Sequence, residues 1–125
     1  MASIIVADEQ EGRRNLLAGT LEREDYSVTR AGTLRQCEGT ALATMPDVVL
    51  MDINMPGIGG LEATQKILQR QPEVQIIALT VYDGDPYTSR LLKIGASGYL
   101  TKGAHFDEML RAIVKVNSGQ KYISP

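Results

Sequence analysis

Three stretches of the chain, Ile4-Ile5-Val6-Ala7, Val48-Val49-Leu50-Met51 and Ile76-Ile77-Ala78-Leu79, are apolar at every position. None approaches the roughly 20 residues that a membrane-spanning helix needs, and none alternates as a strand with one wet face does. Such runs read as strands buried on both faces, the situation of a parallel sheet covered by helices on two sides. The intervening segments supply the helices: Leu17/Leu21, Leu61/Gln65/Leu68 and Phe106/Met109/Leu110/Ile113 fall at helical spacing. Strands are predicted at 3–8, 26–30, 47–52, 74–80 and 97–100, with helices near 11–23, 33–44, 60–71, 86–94 and 105–118. This alternation gives an α/β chain, a doubly wound three-layer sandwich around a parallel five-stranded sheet.

The second strand, Tyr26-Ser27-Val28-Thr29-Arg30, alternates apolar and polar residues and so belongs at a sheet edge. With right-handed crossovers and a single reversal, the order becomes 2-1-3-4-5, with strands 1 and 3 flanking the switch point. Ligands of such sheets bind beyond the carboxyl ends of the strands at that point. Gly119 is placed to end the last helix, so residues 1–119 are read as one domain and residues 120–125 as a tail or the start of a linker.

Composition narrows the classes. A chain of 125 residues is one domain of roughly 14 Å radius of gyration. The net charge of −2 and the lack of a Lys/Arg stripe leave no electrostatic footprint for nucleic acid. The first residues meet Asp8 and Glu9 without a basic leader, which points to a cytoplasmic chain with no membrane attachment. Cys37 is the single cysteine, which excludes an internal disulfide and a thiolate metal cluster; its series Leu34, Cys37, Ala41, Met45 reads as core packing.

Polar residues collect at the strand ends. Strand 1 ends in Asp8-Glu9, strand 3 in Asp52, strand 4 in Thr80, and Lys102 follows strand 5. Asp52 is the most demanding of these, because a carboxylate at the mouth of an apolar layer is costly unless paired. Capping of the next helix is the competing reading, weakened because Asn54-Met55-Pro56-Gly57-Ile58-Gly59-Gly60 intervenes. Two carboxylates on neighbouring strands, ~5 Å apart, repel by roughly 3 kcal/mol at an effective dielectric of 20. Lys102 and a divalent ion with oxygen ligands, Mg²⁺ first, are the candidates to balance them. His105 has no partner His for a zinc site and is read as a surface residue. With cations beside it Asp52 is an ionised carboxylate, able to attack phosphorus and form an acyl phosphate, while Lys102 and Thr80 supply charge and a hydroxyl. Singly, Asp8 or Glu9 also suits a helix N-terminus, Thr80 an ordinary strand and Lys102 a turn. Their convergence on one crevice favours the site.

The same residues, Asp8-Glu9, Asp52 with Asn54-Met55-Pro56-Gly57, Thr80, and Gly98-Tyr99-Leu100-Thr101-Lys102, resemble the receiver domain of bacterial two-component response regulators. "MPGIGGLEATQKI", "ALTV", "GASGYLTKGA" and "SGQKYIS" resemble more narrowly the NarL/FixJ (LuxR-type) regulators, the GacA/UvrY group in particular. The resemblance implies a flavodoxin-like fold and a phosphoacceptor at Asp52, charged by a sensor histidine kinase. It implies Mg²⁺ held by Asp8, Glu9, Asp52 and the backbone carbonyl of Asn54, phosphoryl contacts from Thr80 and Lys102, and a Thr80/Tyr99 switch pair. A face of helix 4, strand 5 and helix 5 would form a homodimer. Such a domain turns over no substrate beyond its own slow dephosphorylation, so an enzyme is not expected.

Two departures accompany the resemblance. Glu9-Gln10 stands where Asp-His is frequent in the group, and Glu9 is one methylene longer. DNA contact in such regulators comes through a C-terminal helix-turn-helix domain, which the sequence does not contain. A hydrolase of the haloacid-dehalogenase type would place D-x-D at the nucleophile loop, whereas Asn54 stands at the second position here. A phosphorylation-independent interaction module retaining only the fold is the other alternative.

Overall fold

The computed structural model describes residues 2–53, 59–80 and 86–123, residues 86–88 by backbone only. Strands β1 (Ser3–Ala7), β2 (Ser27–Ala31), β3 (Val48–Asp52), β4 (Gln75–Thr80) and β5 (Gly98–Thr101) alternate with helices α1 (Glu11–Arg23), α2 (Leu34–Thr44), α3 (Gly60–Arg70), α4 (Pro86–Lys93) and α5 (Phe106–Asn117). The sheet order is β2-β1-β3-β4-β5-β6. Every neighbouring pair is parallel. The predicted order therefore stands, with β2 at the edge because its polar positions leave it mostly exposed.

One element exceeds the expectation. Within the segment read as a tail, Tyr122–Ile123 forms a short strand β6 beside β5, in register Gly98↔Tyr122 and Tyr99↔Ile123. The turn at Ser118-Gly119 reverses the chain at the end of α5: Gly119 takes φ 94° and donates to the Val116 carbonyl. Gly98 permits the approach, because a methyl group at this position would drive into the Tyr122 carbonyl oxygen. The sequence hid β6 because two residues carry no periodicity.

Both faces of the sheet are covered. Ile4, Val6, Leu50, Ile77 and Leu100 pack with Leu21 of α1 and Ile113 of α5 on one side. Ile5, Val49, Met51 and Ile76 pack with Cys37 of α2 and Ile67 of α3 on the other. Every residue of β3 is buried, as its unbroken apolar run requires. Burying each such aliphatic side chain contributes about 1.5–3 kcal/mol relative to exposure.

Two stripes differ from their expected faces. In α3 the buried residues are Gly60, Ala63, Thr64 and Ile67, while Leu61 and Leu68 pack only from the flanks and Gln65 is exposed. Small residues let the helix axis lie close to the sheet, and the leucines then wedge at its sides. Met45 departs from the Leu34, Cys37, Ala41 series and is 71% exposed, because it forms the left-handed C-cap of α2 at φ 50°. Thr33 closes the other end of this helix by accepting the Gln36 N–H at 3.0 Å, which is why α2 starts one residue later than predicted.

Cys37 is fully buried, and burial, with a smaller push from Glu38, drives its thiol up from 9.0 to about 12. The unfolded chain releases this proton near pH 9 and the folded chain holds it. The contribution is therefore intact below the unfolded value and is lost as pH rises through the folded one. The stability advantage of the wild type over Cys37→Ala is expected to shrink by about 1 kcal/mol between about pH 8 and about pH 10, read by urea denaturation. Gly98→Ala is expected to release β6 and cost about 1–3 kcal/mol. Faster amide exchange at Tyr122, whose N–H donates to the Ser97 carbonyl at 3.0 Å, would report the release.

Candidate functional site

β1 and β3 are neighbours at the centre of the sheet, paired up to Ala7↔Met51, and their next residues are Asp8 and Asp52. The Asp8 N–H donates to the Ala31 carbonyl at 3.0 Å, which continues the β1 trajectory one residue beyond the strand. Its carboxylate oxygen Oδ1 accepts the Gln10 N–H at 2.9 Å and so also serves the entry to α1. Asp8 thus serves the entry to α1 while lying at the rim of the sheet beside Asp52. Asp8 is 0% exposed and Asp52 1%.

Buried anions this close demand cations, and two side chains provide them. Lys102, one residue past β5, places Nζ 2.9 Å from Asp52 Oδ1, and its backbone N–H donates to the Thr80 carbonyl at 2.8 Å. The second cation is Arg13, which the sequence reading missed. Its Nε donates to Asp8 Oδ2 in a short charge-assisted hydrogen bond, Nη2 donates to Asp8 Oδ1 at 3.0 Å, and Nη2 lies 3.3 Å from Asp52 Oδ2. Asp8, hydrogen-bonded to it, raises the guanidinium pKa further, against the opposing effect of burial. Arg14 takes a separate role, donating from Nη1 to the Asp8 backbone carbonyl at 2.9 Å.

A signal for Arg13 was present. It is the third residue of α1, within the first turn, where the helix dipole disfavours cations. An arginine there needs a local anion to hold it, and the preceding strand-end acids are the nearest source.

The other expected residues are placed as follows. Thr80 ends β4, 1% exposed, paired in register with Thr101. Tyr99 is 8% exposed and packs in a third apolar cluster with Ile53, Ala78, Leu91 and Ala96, between the sheet and α4. Ala78 and Tyr99 are register partners, and Thr80 follows two residues along β4, so it shares their face of the sheet. Glu9 is exposed and makes no hydrogen bond or ion pair among the described residues. Asn54 lies outside the described residues. His105 is the exposed N-cap residue of α5, without a side-chain cap bond.

Among the described residues, no three His, Cys, Asp or Glu side chains are grouped to hold a metal. The donor chemistry of the pair itself fits a hard divalent ion, since Asp8 and Asp52 offer buried carboxylate oxygens from adjacent strands. No helix among the described residues is long and apolar enough to cross a membrane.

Comparison with known proteins gives a consistent picture. The family model described as the response regulator receiver domain matches residues 4–114. The response regulator GacA of Pseudomonas viridiflava is 59% identical across 100% of this chain, and the chain spans 59% of that protein's length. GacA of Pseudomonas aeruginosa is 44% identical over the same shares. The response regulator UvrY of Escherichia coli O6:H1 is 52% identical across 99% of the chain and 58% of its own length. The crystal structure of a LuxR-family two-component response regulator from Aurantimonas sp. SI85-9A1 matches with a TM-score of 0.93 at 31% identity, covering 100% of this chain and 91% of that one. The chemotaxis response regulator CheY4 of Vibrio cholerae, 24% identical, shares the fold at a TM-score of 0.87 over 93% of this chain and 98% of its own.

The charge arrangement has a measurable consequence. Arg13→Ala leaves two buried carboxylates with one ammonium and is expected to cost about 1–2 kcal/mol without metal, a moderate figure because the Arg13 side chain keeps 29% of its surface in solvent. The same substitution in an Asp52→Asn background is expected to cost clearly less, and equal costs in the two backgrounds, read by urea denaturation, would show that Arg13 does not serve both acids.

Proposed function

Because this chain belongs to the response regulator receiver domain family, we propose that it accepts a phosphoryl group from a sensor histidine kinase onto Asp52 and changes conformation to control an output such as transcription. The observation that carries this reading is the buried Asp52 carboxylate at the end of β3, with Lys102 Nζ 2.9 Å away and Asp8 on the adjacent strand.

In the proposed transfer, an Asp52 carboxylate oxygen attacks phosphorus as the bond to the donor's imidazole nitrogen breaks, and the leaving imidazole keeps that electron pair. Asp52, lacking solvent and held by the sheet, is fixed in position for in-line attack. Lys102 exchanges its contact with Asp52 for a contact with a phosphoryl oxygen, balancing the charge that the group brings. The Thr80 hydroxyl donates to another of these oxygens. Asp8 and Asp52, with Glu9 and the Asn54 carbonyl as the further ligands, would hold Mg²⁺, which would supply positive charge against the phosphoryl oxygens.

The same geometry supports a switch. Thr80 drawn toward a phosphoryl group leaves space on the face it shares with Tyr99, and Tyr99 touches the cluster that seats α4 through Leu91. A new dianionic group thereby biases the position of α4 and the face it forms with β5 and α5, where a second copy is proposed to dock. A cytoplasmic setting goes with this reading.

One observation favours a second reading, an interaction module that works without phosphorylation: Arg13 and Lys102 already neutralise both acids. Intact mass after incubation with acetyl phosphate separates the two. One added phosphoryl unit is expected, only with Mg²⁺ present and absent in Asp52→Asn. Labelling that persists in Asp52→Asn would overturn the site, and no labelling of the wild type would favour the module.

A further inference from the structure

We propose that Arg13 is a tethered counter-ion that occupies the cation position between Asp8 and Asp52, so that it must leave before a divalent cation binds there and its departure sets the metal affinity of the site. This rests on the reading of the acidic pair as a metal site. Four observations carry it.

The first is occupancy. Arg13 covers both Asp8 oxygens with Nε and Nη2, and Nη2 reaches Asp52 Oδ2 at 3.3 Å, while Lys102 holds Asp52 Oδ1 at 2.9 Å. A divalent ion of the Mg²⁺ class sits ~2.0–2.1 Å from its oxygen ligands. It cannot take those lone pairs while a guanidinium is forked onto them. The second is charge. The two buried carboxylates are already balanced by one guanidinium and one ammonium, so a divalent ion added without loss of Arg13 would leave the pocket net positive even with the Glu9 carboxylate turned toward it.

The third is position. Arg13 stands in the first turn of α1, where the helix dipole opposes it, and Asp8 is what offsets that opposition. Once a metal ion neutralises Asp8, the guanidinium has little reason to remain. The fourth is an alternative seat. A groove of about 180 Å³ between α1 and α5 is lined by Arg13 itself, by Lys102, and by an apolar wall that includes Leu16, Leu17, Phe106 and Met109. Its apolar wall suits the aliphatic stem of an arginine whose head returns to water, and 29% of the Arg13 side chain is already solvent-exposed. Arg14, bound to the Asp8 backbone carbonyl, is not in competition for the carboxylates.

Apparent affinity falls by the fraction of molecules in the competent state, here the state with Arg13 withdrawn. If Arg13 is in place about nine-tenths of the time, its removal tightens metal binding about tenfold. The test is calorimetric titration of the full chain with Mn²⁺ and with Mg²⁺, comparing wild type, Arg13→Ala, Arg13→Gln and the control Arg14→Ala. Arg13→Gln keeps most of the side-chain volume, and circular dichroism checks that each variant is folded. About tenfold tighter binding of both ions in the two Arg13 variants, with Arg14→Ala at the wild-type value, is the expected result. Binding in all four proteins that is unchanged or weaker without Arg13 would overturn the competition while leaving the metal site standing. Absence of binding in wild type and Arg13 variants alike would overturn both.

Discussion

The interaction on which the site depends is the repulsion between two carboxylates that a parallel sheet forces together. Asp8 just past β1 and Asp52 at the end of β3 stand at the ends of strands paired side by side, and both are buried. Neighbouring strands are ~5 Å apart whatever residues they carry, so the backbone fixes a separation that the acids alone would avoid. Coulomb energy at that distance is a few kcal/mol even at an effective dielectric of 20. This is comparable to a sizeable share of the stability of a small domain. Arg13 and Lys102 answer it, one from a helix and one from just past a strand end.

That arrangement is also what gives the site chemistry. A pair of anions held together against their repulsion is a place where cations gather and where charge can be exchanged. Replacement of one cation by another, or addition of a dianionic group to one acid, redistributes several interactions at once. Around the acids, the apolar layers are closely packed: β3 is buried along its whole length, and the helices on its two faces pack through Ile113 on one side and Ile67 on the other. At the carboxyl edge, α4 packs through the separate small cluster of Leu91, Ala96 and Tyr99.

Much of this was legible from residue patterns. The three unbroken apolar runs declared central strands, the alternating Tyr26–Arg30 stretch declared an edge, and the family resemblance drawn from the strand-end motifs is matched by the comparisons. Asp52 and Lys102 were brought together as expected, since the order of strands puts their ends on one rim. Arg13 was not seen, because an arginine on a polar surface helix, here next to Arg14, is ordinarily a solvated residue and its length allows many targets. The buried face of α3 was misread for the reverse reason: large apolar residues dominate a periodicity count, while Gly60, Ala63 and Thr64, which in fact meet the sheet, score low.

The sequence by itself determined the order of elements, the parallel class of the sheet and the acids at its rim, because each follows from local periodicity and from chirality rules that hold for any L-polypeptide. Only the tertiary structure decided which cation meets which acid, how β6 closes the far edge beside Gly98, and that Glu9 lies exposed while Asp8 is enclosed. These depend on distances between side chains remote along the chain. Such distances are set by packing to within an ångström, and an ångström decides whether an ion pair forms.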